Sequence, residues 1–395
     1  MKTLNLAVVG LGHRGRHMIK CAKESFDNTK ILAACDIHPV LWHETQYLQT
    51  QPMKDILPGT EFFESYDAML EKYGKILDLI IVETGADVHA DFCIKALNRN
   101  INVFSDIPSV SSLDEARRLW EAERASRARL MTGANANCSG FANALANLYQ
   151  KGLLGELYYM EVEYVGGRMG DLNAESLLSK GSNDMWRNTL PAIRYCTHSL
   201  GPMLRCMKED LRTTICLGTG SHFEVNDQWG GGDDIQSALF QTESQVTIRL
   251  LRSRCNGRMR GGCFGHHSWR GWGTNGYFER MGARGKMPDT LRFSSSEIYG
   301  SREMVDMPSV SYMPNEYVDN PRATGHGGAD YAVLDQTFQQ LWKGSNDFTI
   351  SLRDGLRMTL PGIYADKSAQ LGGRKLTIHY PWEAEFVEDI ANYNI

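Results

Sequence analysis

The sequence lacks paired cysteine motifs, long apolar runs and blocks of like charge. Its nine cysteines are odd in number and scattered, with no C-x-x-C pair, which disfavours a disulfide framework and a zinc site of the usual spacing. No run approaches the roughly 18 consecutive apolar residues that a membrane-spanning helix needs, and the first apolar run is too short for a signal peptide. We therefore expect a cytoplasmic protein with reduced thiols.

The charge balance argues against nucleic acid and membrane surfaces as partners. The formal net charge is -5, and 23% of the residues are charged, so no extended positive field would gather nucleic acid or an anionic membrane surface. Histidines and carboxylates occur without a spacing that demands a metal ion. The expected partner is a small molecule, and no metal is expected.

The length of 395 residues suits two domains. Nearly continuous apolar runs at 4–10, 30–36, 77–84 and 101–106 are each followed by a helix-like stretch. Such alternation predicts a parallel sheet buried on both faces by crossover helices, which is a Rossmann arrangement. The N-terminal domain is predicted over residues 1–128.

The pattern changes after residue 128. Apolar and polar residues alternate at 155–167 and 244–254, as in an antiparallel sheet covered on one face. The glycine-rich stretches 218–232 and 254–276 are expected to form surface loops.

The chain is therefore predicted to be an α/β protein with a C-terminal α+β domain over residues 129–395, built on a large, mainly antiparallel sheet. This domain is expected to hold the substrate. A helix over 351–372 is expected to pack back toward the N-terminal domain.

A glycine motif follows the first predicted strand. Gly10, Gly12 and Gly15 form G-x-G-x-x-G at the start of a predicted helix, where glycines permit close approach of a pyrophosphate and the helix N-terminus offers free N–H groups. Asp36 ends the second predicted strand, where a carboxylate accepts the ribose hydroxyls. A carboxylate there repels a 2′-phosphate, so the motif predicts NAD rather than NADP.

The carboxyl ends of the next strands add candidates beside the expected cofactor cleft, because ligands bind at that edge of open α/β sheets. His89 is expected on the nicotinamide side. The predicted cofactor-binding residues are Gly10, Gly12, His13, Arg14, Gly15, Asp36, Glu83, His89 and Asp106.

Residues 105–108, Ser-Asp-Ile-Pro, resemble the Glu-Lys-Pro segment of the Gfo/Idh/MocA oxidoreductase family. Dehydrogenases of that family use the lysine in catalysis. Here the matching residue is Ile107, which cannot transfer a proton. The resemblance implies the family's two-domain fold but departs from an ordinary sugar dehydrogenase.

Two further segments resemble one branch of that family, the NAD-dependent α-N-acetylgalactosaminidases. Residues 195–202, Tyr-Cys-Thr-His-Ser-Leu-Gly-Pro, are similar to the branch's Tyr-x-Thr-His-Gly-Leu-Gly-Pro segment. Residues 325–330, Gly-His-Gly-Gly-Ala-Asp, resemble its Gly-His-Gly-Gly-Met-Asp segment. The branch also carries an aliphatic residue where other family members have the lysine.

The branch resemblance implies a redox-neutral glycosidase, in which NAD⁺ oxidises the sugar at C3, the aglycone is eliminated, a nucleophile adds and the hydride returns. His198 is then expected to move the proton of the oxidised hydroxyl, and His326 to contact substrate or act as acid or base. The branch's catalytic tyrosine has no counterpart in residues 133–139, so Tyr195 is the candidate base at C2.

Two other functions stay open. A plain NAD-dependent sugar or glycoside 3-dehydrogenase would use His198 without the lysine, and a catalytically inactive ligand-binding protein would keep only the fold. Enzymes similar to this one often pair through the outer face of the large sheet, so a homo-oligomer is expected by analogy. The predicted substrate-binding residues are Asn137, Arg168, Trp186 and Arg187.

Overall fold

The structure is a computed structural model, which groups the chain into two compact units. Unit 1 contains the described residues 2–46, 49–135 and 325–356. Unit 2 contains the described residues 136–165, 190–207, 209–222, 232–253, 267–281, 289–298, 303–313 and 357–394. The linear boundary at residue 128 stays a prediction.

Unit 1 is built on a six-stranded parallel sheet with the order β3-β2-β1-β4-β5-β6. All four strands predicted from apolar runs are confirmed. The two edge strands escaped prediction, because each has only three residues and no apolar run of its own. The strands are β1 (Leu4–Val9), β2 (Thr29–Cys35), β3 (Glu61–Phe63), β4 (Leu79–Val82), β5 (Asn102–Ser105) and β6 (Leu130–Thr132).

Helices cross between these strands. Two of them begin at serines whose hydroxyls cap the first turn, Ser65 accepting from the Ala68 N–H and Ser112 from the Glu115 N–H, as helix N-termini require. The helices are α1 (His13–Ser25), α2 (Val40–His43), α3 (Met53–Ile56), α4 (Tyr66–Tyr73), α5 (Ala86–Leu97) and α6 (Leu113–Ala125).

Unit 2 is built on a nine-stranded sheet with the order β14-β13-β12-β11-β7-β10-β9-β8-β15. Every pairing is antiparallel except that of β7 with β10, so the predicted mainly antiparallel sheet is confirmed. The strands are β7 (Leu157–Tyr164), β8 (Thr213–Gly218), β9 (Ile235–Gln241), β10 (Thr247–Ser253), β11 (His267–Gly273), β12 (Gly276–Met281), β13 (Thr290–Ser295), β14 (Val305–Pro308) and β15 (Leu376–Thr377).

The expectation that residues 254–276 form only loops was wrong for 267–273, which are strand β11. Trp269 is buried on the inner face. Gly271 is required there because a Cβ would lie 2.5 Å from the Phe278 ring. Glycine therefore marks close side-chain packing within this strand rather than a loop.

The remaining helices are α7 (Gly140–Gln150), α8 (Thr197–Leu204), α9 (Ala329–Trp342), α10 (Leu352–Gln370) and α11 (Phe386–Tyr393). In unit 2, α8 contacts β7 and α7 contacts β13, so these helices cover the inner face of the sheet. Helix α9 belongs to unit 1 and packs on α1. Helix α10 lies within the predicted range 351–372. None of the described helices combines the length and apolar character needed to cross a membrane.

The other face of the sheet carries a row of alternating charges. Arg249, Glu161 and Arg270 are cross-strand neighbours on β10, β7 and β11, and Arg249 and Arg270 both pair with Glu161. The row continues through Glu279, Arg292 and Asp306 on β12, β13 and β14.

Candidate functional site

The glycine turn of unit 1 has the geometry that its sequence predicts. Gly10 has a φ of +90°, and a Cβ on it would lie 2.6 Å from the Glu83 carbonyl oxygen. A Cβ on Gly15 would lie 1.9 Å from the Gly10 carbonyl oxygen. Gly12 has nothing within 4 Å of such a position, so open space lies beside the backbone where α1 begins.

Asp36 holds this turn. One of its carboxylate oxygens accepts the Leu11 N–H at 2.6 Å, and the other accepts the His38 N–H at 2.8 Å. No side chain caps the start of α1. A helix N-terminus with an open position at Gly12 and a carboxylate beyond the second strand fits a dinucleotide, with its pyrophosphate at the turn and its ribose near Asp36.

The predicted residues Arg14, Asp106 and His326 meet in unit 1 around the carboxylate of Asp330. Asp330 is fully buried, and it accepts from Arg14 at 2.8 Å, Asn135 at 2.6 Å and His326 Nδ1 at 2.9 Å. His17 Nε2 lies 3.1 Å from the oxygen that His326 contacts. Arg14 also pairs with Asp106 at 3.3 Å.

These contacts determine the charges of the group. Burial alone would raise the pKa of Asp330, but the hydrogen bonds from His17 and His326 and the charge of Arg14 hold it far below its usual range. Burial likewise disfavours charged Arg14, yet Asp106 and Asp330 raise its pKa above the ordinary value. Asp330 is therefore a carboxylate that orients both imidazoles, leaving His326 Nε2 as the ring nitrogen available for proton transfer.

Glu83 and His89 are more enclosed than the sequence suggested. His89 is 2% exposed, and its ring nitrogens contact Ser105 Oγ at 2.9 Å and the backbone oxygen of Thr84 at 3.3 Å. Burial lowers the pKa of His89. These contacts tie α5 to the end of β5, so the ring is already engaged by the protein. Glu83 follows β4 and lies directly under the glycine turn.

Tyr195 and His198 come together in unit 2. Their ring centres are 5.8 Å apart, and His267 lies 6.2 Å from His198. Tyr164 joins them, 6.3 Å from Tyr195, and Arg252 lies 3.7 Å above the Tyr164 ring while donating to the Tyr195 carbonyl at 3.1 Å. We call Tyr164, Tyr195, His198, Arg252 and His267 the aromatic cluster.

Sequence reasoning missed Tyr164, Arg252, His17 and Asn135. Arg252, Tyr164 and His267 form one cross-strand row on β10, β7 and β11. The signal for this row is strand register, which one sequence does not reveal.

The other predicted residues have different positions. Asn137 is 2% exposed in unit 2, where its side-chain amide nitrogen lies 3.5 Å from Met358 Sδ and the side chain packs against Gly201. His13 begins α1. Arg168, Trp186 and Arg187 lie outside the described residues. Across the part of the chain that the structure describes, no three His, Cys, Asp or Glu side chains are grouped as metal ligands.

Comparisons with known proteins agree with this geometry. Residues 4–134 match the family model described as "Oxidoreductase family, NAD-binding Rossmann fold", named GFO_IDH_MocA. A "Glycosyl hydrolase family 109 protein" of Shewanella pealeana is 23% identical over 96% of this chain and 85% of its own length.

Solved structures share the fold. Scyllo-inositol dehydrogenase from Lactobacillus casei, with bound NAD(H) and scyllo-inositol, has a TM-score of 0.70 and 16% identity, covering 95% of this chain and 99% of its own. Aldose-aldose oxidoreductase from Caulobacter crescentus, complexed with glycerol, has a TM-score of 0.70 and 14% identity. The match covers 95% of this chain and 100% of the oxidoreductase chain. Residues 4–134 thus match an NAD-binding Rossmann domain of the Gfo/Idh/MocA type, and the chain as a whole is similar to glycosyl hydrolase family 109 proteins.

Proposed function

We propose that the protein is an NAD-dependent enzyme that oxidises a glycoside at C3 and cleaves it in a redox-neutral cycle. One observation carries the proposal: a chain with a dinucleotide turn in unit 1 and the aromatic cluster in unit 2 is similar, over 96% of its length, to a protein named glycosyl hydrolase family 109. Bound NAD⁺ would supply a reversible acceptor for the C3 hydride.

The chain's own residues would move the protons. His198 takes the proton of the C3 hydroxyl, since an imidazole titrates near neutral pH. Tyr195 is the first candidate to remove the C2 proton, and Tyr164 is a second, held by Arg252 above its ring. His326 protonates the leaving oxygen or binds the sugar through Nε2, because Asp330 engages its Nδ1.

Ile107 favours this cycle over ordinary dehydrogenation. It is 5% exposed and aliphatic, so the position that carries the family's lysine has no proton-transferring side chain here. A plain sugar 3-dehydrogenase is the second candidate. The sugar dehydrogenases among the structural neighbours favour it, as does the tyrosine-free stretch 133–139.

The discriminating experiment is anaerobic. The purified protein, without added cofactor, is incubated with a panel of nitrophenyl glycosides while aglycone and reduced nicotinamide are recorded together. Aglycone release over many turnovers with only transient NADH is expected for the redox-neutral glycosidase. Stoichiometric NADH without aglycone would instead identify the protein as a dehydrogenase. If NAD is bound and neither aglycone nor NADH is detected, the protein would be a catalytically inactive ligand-binding protein.

A variant pair assigns the chemistry to the aromatic cluster. His198→Ala is expected to lower kcat about a hundredfold or more, as loss of a general acid–base does. His222→Ala is the control, because His222 is an exposed histidine of the same unit that pairs with Asp234. Equal kcat values for His198→Ala and His222→Ala would show that His198 takes no part in the reaction.

We also propose a cytoplasmic homo-oligomer. No disulfide joins the seven cysteines of the described residues, which supports a reducing compartment. Ile215, Leu217 and Leu239 are exposed beside the charged row of the large sheet, which supports a second copy as the covering partner.

Light scattering after gel filtration is expected to give a mass above the 44.4 kDa of one chain. Leu217→Glu is expected to reduce the measured mass. A wild-type mass of one chain would overturn the proposal.

A further inference from the structure

The sheet order places two groups of carboxylates on opposite sides of the cofactor crevice. The strand order reverses between β1 and β4, and a dinucleotide lies across such a switch point. Asp36 follows β2 on one side, whereas Glu83 and Asp106 follow β4 and β5 on the other. With the adenosine ribose near Asp36, the nicotinamide end lies on the side of Glu83 and Asp106. This step rests on the proposed NAD-dependent function.

Glu83 is a buried carboxyl group at that position. Only 9% of it is exposed, and among the described residues neither carboxyl oxygen has a hydrogen-bond partner. The glycine turn covers it, since a Cβ on Gly15 would lie 3.1 Å from the Glu83 Cβ. A buried carboxyl group without a partner costs much more free energy charged than neutral.

The charged neighbours do not relieve this cost. Arg14 from α1 is already paired with Asp106 and Asp330. His17 and His326 bind the Asp330 carboxylate, and His89 from α5 is held by Ser105 and Thr84.

Burial first, and then the nearby charge of Asp106, raise the pKa of Glu83 well above its ordinary value, although Arg14 acts in the opposite direction. Asp106 thus acts on Glu83 as a nearby like charge. Burial without a counter-charge and the charge of Asp106 both favour the protonated form of Glu83 in the free protein.

We propose that Glu83 is a proton site coupled to the oxidation state of the bound cofactor. The oxidised nicotinamide ring carries a positive charge and the reduced ring carries none. A cation nearby favours the carboxylate, so Glu83 releases its proton when the oxidised form binds and keeps it when the reduced form binds.

The coupling balances the oxidation step. Conversion of a CH–OH group into a C=O group breaks one C–H and one O–H bond, giving a hydride for the oxidised cofactor and a proton. Glu83 finally holds that proton, whichever residue first takes it from the hydroxyl. Reduction of the ketone reverses both transfers, so the protein exchanges no net proton with solvent during a complete cycle.

The test counts protons rather than turnover. Calorimetric titrations of the full chain with NAD⁺ and with NADH, each in two buffers of different ionisation enthalpy, give the protons released per cofactor bound. The expected result near neutral pH is release of up to about one proton more with NAD⁺ than with NADH. Equal release for the two forms would overturn the proposal, whereas failure of both forms to bind would instead overturn the proposed function.

Variants locate the proton. Glu83→Gln is expected to abolish the difference between NAD⁺ and NADH. Glu123→Gln is the matched control, because Glu123 is a buried glutamate of α6 with a raised pKa. Its carboxylate accepts the Leu130 N–H at the amino end of β6, whereas Glu83 follows the carboxyl end of β4. The control should keep the difference, and a difference that persists in Glu83→Gln contradicts the proposal.

A second variant covers the case in which Glu83→Gln does not fold. Asp106→Asn removes the like charge beside Glu83 and frees Arg14 to pair with it. The pKa of Glu83 should then be lower, so a larger fraction of Glu83 is ionised before the cofactor binds and the extra proton release with NAD⁺ should fall. Unchanged release in Asp106→Asn would count against Glu83 as the proton site.

Discussion

At the scale of single residues, the three motif glycines have different roles. Gly10 permits a left-handed backbone, Gly15 lets α1 approach the turn, and Gly12 leaves open space. The sequence motif treats the three alike. The structure separates those that stabilise the fold from the one that fits a ligand.

This separation predicts opposite effects for two similar substitutions. Gly15→Ala places a methyl group 1.9 Å from the Gly10 oxygen, so it should lower stability by about 1–3 kcal/mol, as overpacking does. Gly12→Ala should leave the unfolding temperature unchanged but weaken NAD⁺ binding at least about tenfold, or about 1.4 kcal/mol. Differential scanning fluorimetry and cofactor titration of both variants measure this. A destabilised Gly12→Ala protein would contradict the assignment.

Glu83 gives a pH-dependent prediction for the cofactor-free protein. Its pKa is raised in the folded state, so below its ordinary pKa both states are protonated and it has no effect. As pH rises above that value, the unfolded chain ionises first, and Glu83 increasingly destabilises the fold. The melting temperature of Glu83→Gln relative to wild type should therefore rise between about pH 4.5 and pH 7.5. A pH-independent difference would show that Glu83 is ionised in the free protein.

At the scale of secondary structure elements, α9 completes unit 1 although it is remote in sequence. Phe26, at the end of α1, stacks on Tyr331 at 4.8 Å and meets Phe338 edge-on at 4.9 Å. Asp330 in the first turn of α9 binds Arg14 of α1. Apolar packing and one buried ion pair thus join the two helices.

Replacing this carboxylate should be costly. Asp330→Asn removes the fully buried carboxylate that Arg14, His17 and His326 share and leaves Arg14 with Asp106 as its remaining partner, so it should lower stability by about 3 kcal/mol. Because the pKa of Asp330 is held far below its usual range, its contribution is present above its unfolded pKa and is lost only in strong acid, so the loss should be constant from about pH 5 to 8. Asp335→Asn in the same helix is the control, and equal melting temperatures for the two variants would refute the role of Asp330.

At the scale of the whole molecule, each unit is assembled from separated stretches of chain. Unit 1 requires residues 325–356 in addition to 2–135. The contacts of α9 with Phe26 and Arg14 imply that an N-terminal fragment alone leaves both apolar surface and a buried charge uncovered.

A fragment comparison tests this assembly. Residues 1–135 alone should unfold without a cooperative transition. The same residues joined by a flexible linker to 325–350 should unfold cooperatively, because α9 then covers α1. Circular dichroism during heating measures both fragments. Equal, cooperative unfolding of the two would show that α9 is dispensable for unit 1.

Sequence periodicity was sufficient where local pattern and final environment agree. The continuous apolar runs predicted four buried parallel strands, and all four are present. The glycine motif with Asp36 predicted the turn between β1 and α1, because turn geometry depends on residues close together in the chain. The segments around His198 and His326 indicated the family branch. The glycine-rich strand β11 was not predicted, because the need for glycine at position 271 comes from the ring of Phe278 on the neighbouring strand β12.

The sequence by itself thus determined the fold class, the position of the glycine turn and the family resemblance. Only the tertiary structure showed that Asp330 joins Arg14 with two histidines, that Tyr164 and Arg252 join His198, and that Glu83 is buried without a partner. The physical reason is that burial, desolvation and charge pairing depend on neighbours far apart in the chain. Those neighbours decide protonation states, whereas local sequence decides secondary structure.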